Sequence, residues 1–287
     1  MHVILKYTIF KNNLFTFMKK QTVNFFENVG NTTHELLSQV TSLMSFIVAI
    51  FFSLAIAIKK PHKVRWRETV YYVNMCGTDA LGIVILLCYL MGLITAYQSI
   101  VQLHKFGADI ELTTLMNVAV CKELAALMVA IISTGRAGSA FAAEIGTMKI
   151  NDEINALRTL GLSPERFLVT PKIIAMCIVG PILTVFGMFA ALSAGLFVGT
   201  SYSEISVNTY VTTSIQYLKP LWIYEGMIKS LVYSFLIAAI GCEKGFASKN
   251  DSKGVGKSTT SAVVSGIFWI VVANACITYI FMKLFAK

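Results

Sequence analysis

Long runs of residues without formal charge are the feature that most constrains how this chain can fold. Ala80 to Leu103, Ile173 to Ser203 and Ser258 to Met282 contain no Lys, Arg, Asp or Glu, and Gly226 to Cys242 contains only Lys229. A helix that spans a bilayer needs about 20 mostly apolar residues. Only 14% of the residues are charged, against about 25% in an ordinary soluble domain. The chain is therefore predicted to be an all-α membrane protein.

A further apolar stretch contains Lys122 and Glu123 near its middle and completes a set of five expected spans. The spans are expected at about 80–103, 112–134, 173–199, 222–242 and 259–282. Four basic residues lie in each of the loops 144–172 and 243–257, whereas the loops that alternate with them hold one each. Because basic loops remain in the cytoplasm, this alternation predicts a C-terminus on the outer side.

The N-terminal part differs from the rest of the chain. Leu43 to Ile58 is largely apolar but only 16 residues long, which is short for a span. Basic residues flank it on both sides, so both flanks are expected in the cytoplasm. This predicts a monotopic elbow helix at about 36–58, within one domain that covers 21–287. Residues 1–20 are interpreted as an extension, with Met18 as an alternative start.

Charged residues within the spans are candidates for function. Lys122 and Glu123 are expected near the bilayer midplane, where an ionised side chain is costly unless it is paired or hydrated. Adjacent helical residues point about 100° apart, so the two cannot face one partner. At least one is expected to line a polar cavity or meet another helix; a purely structural ion pair is the alternative. Glu225 and Lys229 form an i,i+4 pair, either local or part of a functional site.

A compact helix is predicted between the second and third spans, at about 152–160. Asn151 is a good N-cap, and Gly161 can end a helix. Charges that complement the helix dipole lie near both ends: Asp152, Glu153 and Arg158.

One face of this helix is apolar. The stripe consists of Ile150, Ile154, Leu157 and Leu160. From the pattern alone, the stripe packs on the membrane surface or the protein's own helices, or it docks into a groove of a cytoplasmic partner. The two interpretations are equally supported.

Small residues recur every fourth position in the third span. They are Gly187, Ala191, Gly195 and Gly199. Such a ladder lets helices approach closely, so these positions are expected to be helix-packing sites, within the chain or across a dimer. Pro181 in the same span is expected to kink it.

Several kinds of chemistry are poorly supported. The six cysteines and four histidines show no spacing typical of a metal site, a disulfide framework or a catalytic nucleophile. The net charge of +9 is spread between apolar runs, which argues against a nucleic-acid surface. The sequence 254–259 resembles the end of a phosphate-binding loop, but Asp251 occupies the position that needs the first glycine. This segment is interpreted as a cytoplasmic loop.

The segment 133–171 contains a series of motifs. They are GRAGSA at 135–140, AEIGTM at 143–148, and EI, AL and LG at 153–154, 156–157 and 160–161. With them, the chain resembles the MlaE/YrbE-type permeases, the membrane subunits of Mla/Mce lipid ABC transporters. The resemblance is dense from about Cys121 to Pro171 and weaker from Gln21 onward. The family's Arg-Glu-Leu-Gly-Pro reads KELAA at 122–126, so the acid is retained and the helix-breaking Gly-Pro is absent.

The resemblance implies partners for the chain. It implies a non-catalytic permease in a bacterial inner membrane, with a cytoplasmic N-terminus and a periplasmic C-terminus. The permease would pair with a second copy and hold phospholipid between the copies. ATP and magnesium would bind a separate cytoplasmic ABC ATPase, and no cofactor or nucleic acid would bind this chain. A periplasmic MCE-domain protein and a small STAS-domain subunit are the other expected partners.

The resemblance also implies roles for particular residues. The lipid cavity would involve Lys122, Glu123, Gln98 and Lys229. The loop helix would be the coupling helix that docks on the ATPase, which favours the partner interpretation of its stripe. The expected coupling residues are Glu144, Gly146, Asp152, Glu153, Leu157 and Arg158. The alternative function is a stand-alone ion-coupled secondary transporter or channel, although the sequence shows no internal repeat.

Overall fold

The computed structural model describes residues 65–202 and 205–285, together with the single positions Thr41, Phe46, Val48 and Ile50. The chain divides into the units Met1–Val48 and Ala49–Lys287, and the described residues from 65 onward belong to the second. The predicted elbow helix at 36–58 and the extension at 1–20 lie outside the described residues, apart from the four single positions.

The described part of the chain is helical, contains no strand and has five helices long and apolar enough to cross a membrane. In chain order the helices are α1 (Trp66–His104), α2 (Glu111–Ile150), α3 (Glu153–Thr159), α4 (Glu165–Tyr202), α5 (Val207–Tyr217), α6 (Pro220–Phe246) and α7 (Ser252–Phe285). The spanning helices are α1, α2, α4, α6 and α7. The all-α membrane fold with five spans is therefore confirmed.

The spanning helices are longer than the apolar runs that predicted them. Helix α1 begins at Trp66, well before the apolar run at Ala80, because helical geometry continues into residues that include Glu68 and Asp79. Helix α2 continues past the expected end at 134 through a π-helical turn at Thr134–Gly138. Charge limits where a span can lie in the bilayer, but it does not end a helix.

Helix α4 lies at the centre of the bundle, where α1, α2 and α6 pack against it. Small residues bring these helices close together. A Cβ at Gly92 of α1 would come within 2.6 Å of the Ala191 carbonyl oxygen, so the two backbones are in direct contact there. A Cβ at Gly187 would come within 3.0 Å of Cys88 Sγ. Two members of the small-residue ladder thus lie against α1 within this chain.

Helix α5 occupies a stretch that sequence reasoning leaves as a loop. Ser206 caps its N-terminus by accepting a hydrogen bond from the Thr209 backbone N–H at 3.1 Å. Its Tyr210 is buried against Gly195 and Gly199, the other two members of the ladder. Burial raises the pKa of Tyr210 to about 12 because the phenolate would lose its hydration. The signal for this helix was Ser206 followed by a weakly amphipathic stretch.

The sequence 254–259 lies in the first turns of α7 and not in a loop. Asp251 precedes the helix, and its Oδ1 accepts a hydrogen bond from the Gly254 backbone N–H at 3.0 Å. The interpretation as a loop is wrong because this aspartate initiates a helix at that point. The glycines here are helical residues and form no phosphate-binding turn.

Candidate functional site

Lys229 lies at the centre of a charge network between α2, α6 and α7. Its ammonium group donates hydrogen bonds to Glu123 Oε1 at 2.5 Å, the Lys122 carbonyl oxygen at 3.1 Å and Thr278 Oγ1 at 2.9 Å. An ammonium group has three N–H donors, so all of them are used. Lys229 is completely buried. Burial at this depth is tolerated because the charge is paired and its donors are satisfied.

Glu225 links Lys229 to the second lysine of the network. Glu225 Oε1 lies 3.1 Å from Lys229 Nζ, and Glu225 Oε2 lies 3.3 Å from Lys122 Nζ. The first contact is an ion pair by distance but lacks hydrogen-bond geometry, since the three donors of Lys229 point to other acceptors. The two lysines and two glutamates have no net charge. The predicted i,i+4 pair is therefore part of a larger cluster.

The network has a buried side and an accessible side. Glu225 and Lys229 are buried within α6, whereas the side chains of Lys122 and Glu123 are 28% and 33% exposed. A ligand that approaches the network would therefore meet Lys122 and Glu123 first. We call the four charged residues, together with Thr278, the Lys229 cluster.

A π-helical turn at Val120–Leu124 positions Lys122 and Glu123. Their side chains have different partners, Glu225 and Lys229, as expected from their angular separation. Helix α6 can approach this turn because of Gly226, where a Cβ would overlap the carbonyl oxygen of Cys121. π-Helical turns inside α-helices are frequent at functional sites.

Helix α7 contributes polar residues that sequence reasoning missed. The Thr278 hydroxyl donates to Glu123 Oε1 at 2.9 Å, and Tyr233 donates to Asn274 Oδ1 at 2.8 Å. Asn274 and Thr278 are four residues apart, so they lie on the same face of α7. Their four-residue spacing within an uncharged span was the sequence signal that could have identified these two polar residues.

Gln98 does not join the Lys229 cluster within the described part of the chain. It is exposed on α1 and lines a separate hollow of about 350 Å³. The other residues that line this hollow are Thr95, Ser99, Gln102, Leu103, Phe106 and Leu115. The structure therefore brings together three of the four predicted cavity residues.

Helix α3 occupies the segment predicted for the loop helix. Asp152, not Asn151, is its N-cap, and Asp152 has a left-handed backbone with φ of 58°. The prediction for Asn151 is wrong because that residue ends the preceding helix, where its backbone N–H bonds to the Thr147 carbonyl oxygen. Gly161 has a φ of 73° and follows the helix end, as predicted.

The faces of α3 differ in exposure. Ile150, the first residue of the stripe, is half-buried at the end of α2. On α3 the stripe is buried at Ile154 and half-buried at Leu157, and it ends at Leu160, which is 73% exposed. The charged residues on α3 and at its start are exposed: Asp152, Glu153 and Arg158. The stripe therefore packs against its own chain at one end and is uncovered at the other.

Glu144 belongs to a second buried cluster, next to α3. Its Oε1 accepts hydrogen bonds from the Tyr72 hydroxyl at 2.6 Å and from Lys172 Nζ at 3.0 Å. Lys172 is completely buried, and its Nζ also donates to the Tyr72 hydroxyl at 2.6 Å and lies 4.2 Å from the centre of that ring. We call Tyr72, Glu144 and Lys172 the Lys172 cluster. It connects α1, α2 and α4.

A groove of about 1000 Å³ lies between α3 and the starts of α1 and α4. Its lining combines charged, aromatic and aliphatic side chains, including Arg65, Trp66, Tyr71, Glu144, Leu157 and Phe167. Gly146 is buried next to α7, where a Cβ would come within 3.2 Å of a Val255 methyl group. Of the predicted coupling residues, Glu144, Glu153 and Leu157 line the groove, whereas Gly146 serves as a packing site.

The fold and the Lys229 cluster define a multi-pass membrane protein that holds a neutral set of ionised groups among its spans. Among the described residues, no group of three His, Cys, Asp or Glu side chains is arranged to hold a metal ion.

Comparison with known proteins assigns the family. The family model described as Permease MlaE matches residues 69–280, so this chain belongs to the MlaE permease family. A probable ABC transporter permease protein of Rickettsia bellii is 30% identical over 271 residues, which cover 94% of this chain and 98% of that protein. Its counterpart in Rickettsia prowazekii is 32% identical over 264 residues, 92% of this chain and 96% of that protein.

A plant protein is also similar. Protein TRIGALACTOSYLDIACYLGLYCEROL 1, chloroplastic, from Arabidopsis thaliana is 32% identical over 221 residues. The match covers 77% of this chain and 63% of that protein. The chain is thus a membrane permease subunit, which agrees with the family expected from its motifs.

Proposed function

We propose that this chain is the membrane subunit of an ABC transporter that moves phospholipid or a related lipid between the inner membrane and a periplasmic MCE-type carrier. A separate ATPase supplies the energy, and this chain is not catalytic. The observation that supports the proposal best is the Lys229 cluster, a neutral group of four charges at membrane depth. Ionised side chains within spans commonly mark the path of a polar substrate.

The chemistry of the cluster suits a lipid with an anionic headgroup. Lys122 is the accessible cation, and its ammonium group can bind a phosphate oxygen while Glu225 holds it in place. Exposed apolar residues on the spanning helices suit the acyl chains. The name of the Arabidopsis relative refers to a galactolipid, which favours a lipid substrate over a small ion.

Helix α3 and the groove beside it suit an ATPase partner. The exposed end of the stripe, Leu160, follows Arg158 at the end of α3, and the exposed Asp152 and Glu153 lie at its start. An exposed apolar residue on a helix with charges of opposite sign at its two ends suits a docking surface with a defined orientation. We therefore assign α3 as the coupling helix, on the cytoplasmic side. A second copy, an MCE-domain protein and a STAS-domain subunit follow from the family resemblance.

The test is to purify the chain from native-like membranes and to identify co-purifying proteins and lipids by mass spectrometry. An ABC ATPase and phospholipid are expected. The double substitution Asp152→Lys, Glu153→Lys should reduce the recovered ATPase about tenfold, because it reverses the charge of the docking surface. Bound lipid should not change, since α3 lies apart from the Lys229 cluster.

Glu111→Lys provides the control, because Glu111 is an exposed acid at the opposite end of α2. It should retain the ATPase. A double variant that keeps a fully coupled ATPase would refute the docking role of α3. Recovery of neither ATPase nor lipid would favour the secondary transporter, in which Lys122 and Glu123 form an ion-coupled site.

A further inference from the structure

The hydrogen bonds of Lys229 limit how a ligand can bind it. All three of its N–H donors are engaged, by Glu123, by the Lys122 carbonyl oxygen and by Thr278. An anion that reaches this ammonium group must therefore replace one of the three acceptors. Which acceptor leaves is determined by how firmly each is held.

Two of the acceptors are difficult to displace. Glu123 is an ion-pair partner of Lys229, and its separation from that buried ammonium group would leave Glu225 alone to balance Lys229 and Lys122. The Lys122 carbonyl oxygen belongs to the π-helical turn at Val120–Leu124, against which α6 packs at Gly226. Backbone in such close contact cannot withdraw without moving both helices.

Thr278 differs from these two acceptors. Its hydroxyl is neutral, and a rotation of one side-chain bond moves it away from Lys229. Asn274 Oδ1, which lies 3.4 Å from the Thr278 hydroxyl and accepts a hydrogen bond from Tyr233, is a further polar group on this face of α7. Tyr279 and Ile280, which follow Thr278 on α7, are exposed, so little packing opposes the rotation of the Thr278 side chain.

We propose that Thr278 is a positioning residue that competes with the substrate for Lys229. In the resting state its hydroxyl accepts from Lys229 and donates to Glu123, which bridges the ion pair. A phosphate group that arrives past Lys122 takes the place of the Thr278 oxygen. Thr278 thereby lowers the affinity of the site and allows release. This inference rests on the proposed lipid substrate.

If the Thr278 hydroxyl only supported the structure, its removal would weaken lipid binding. If it competes with the substrate, its removal should strengthen lipid binding. Thr278→Val keeps the shape of the side chain but removes the hydroxyl, so one donor of Lys229 is released. The phosphate then competes for this donor with Glu225 Oε1, which lies 3.1 Å from Lys229 Nζ and accepts no hydrogen bond. The variant in complex with its ATPase should bind anionic lipid about fivefold more tightly and release it more slowly. The measurement uses fluorescent phosphatidylglycerol in nanodiscs, with the half-saturating lipid fraction and the maximal ATP-driven release rate determined separately.

Thr278→Ser should behave as the wild type, because it restores the hydroxyl. Thr260→Val is the matched control, since the Thr260 hydroxyl donates only to its own helix, at the Gly256 carbonyl oxygen. Thr278→Ala serves as a second variant if the valine variant does not fold. Unchanged or weaker lipid binding in a stably folded hydroxyl-free variant would overturn the proposal.

The source of the phosphate is tested in the same assay. Inorganic phosphate at millimolar concentration should not displace the lipid. If it does so more effectively from Thr278→Val, the site binds free phosphate and the lipid assignment is wrong. A wild-type complex that holds neither lipid nor ATPase would instead show that the proposed function itself has failed.

Discussion

The two completely buried lysines, Lys172 and Lys229, are stabilised in different ways. Lys229 lies between two carboxylates, and a second lysine balances the charge. Lys172 has a single carboxylate, a phenol hydroxyl and an aromatic face. The carboxylate at Lys172 is 38% exposed towards a groove, whereas Lys229 has one carboxylate of similar exposure, Glu123 at 33%, and one that is buried, Glu225.

The two clusters therefore suit different tasks in a transporter. The Lys229 cluster keeps its buried charges balanced within the protein, so it can remain in a low-dielectric region until a ligand enters. The Lys172 cluster is balanced partly through Glu144, which water or a partner can reach from the groove. The first arrangement suits substrate binding, and the second suits a response to docking.

The largest expected effect is that of Lys229→Met. It leaves Glu123 and Glu225 without their shared cation, and breaking a buried ion pair in this way costs about 3–5 kcal/mol. Equilibrium unfolding in detergent micelles with increasing SDS measures this loss. Lys257→Met is the control, because Lys257 is exposed at the start of α7. Equal stability of the two variants would show that the Lys229 cluster is not held together by charge.

A glycine substitution near each cluster compares the packing of the two regions. Gly226→Ala would force α6 away from the π-helical turn of α2, because the new methyl group overlaps the Cys121 carbonyl oxygen. A cost of about 3 kcal/mol is expected in the same unfolding assay. In Gly146→Ala the new methyl group meets Val255 and Ser248 side chains at 3.2–3.3 Å, and these can shift. The comparison fails if Gly146→Ala is the more damaging variant.

Sequence reasoning predicted the parts of the fold that depend on composition. Charge-free runs identified five spans, and ionised residues within them identified most of the Lys229 cluster. It could not predict the contact between Thr278 and Glu123 or the link between Glu144 and Lys172, because these contacts join positions 155 and 28 residues apart. No local pattern indicates which turns of two separate helices will meet.

Local rules also failed where helices continue through unusual geometry. Three π-helical turns lie within predicted spans or beside them, at Val120–Leu124, Thr134–Gly138 and Glu165–Val169. Each turn adds a residue to the helical repeat and rotates every later side chain, so a stripe calculated with 3.6 residues per turn loses register. The interpretation of 254–259 as a loop was wrong for a different reason, because Asp251 caps the start of α7 at that point.

Lys172→Met should cost less than Lys229→Met. It removes the hydrogen bonds to Tyr72 and Glu144 but leaves a single carboxylate that can be hydrated from the groove. A loss of about 2 kcal/mol is expected by SDS unfolding. Coupling should suffer more than stability, so ATP-driven lipid release should fall in complexes that still contain the ATPase. A loss of stability as large as that of Lys229→Met would remove the distinction between the two clusters.

The smallest expected effect is that of Tyr72→Phe. The ring that faces Lys172 remains, so only the two hydrogen bonds of the hydroxyl are lost, and the expected cost is about 1 kcal/mol. Lys172 then retains Glu144 as its acceptor, and the cluster persists as an ion pair. Tyr97→Phe is the control, because Tyr97 is exposed near the other end of α1 and does not line the groove. If Tyr72→Phe abolishes ATP-driven release while Lys172→Met does not, the hydroxyl and not the ion pair transmits docking to the spans.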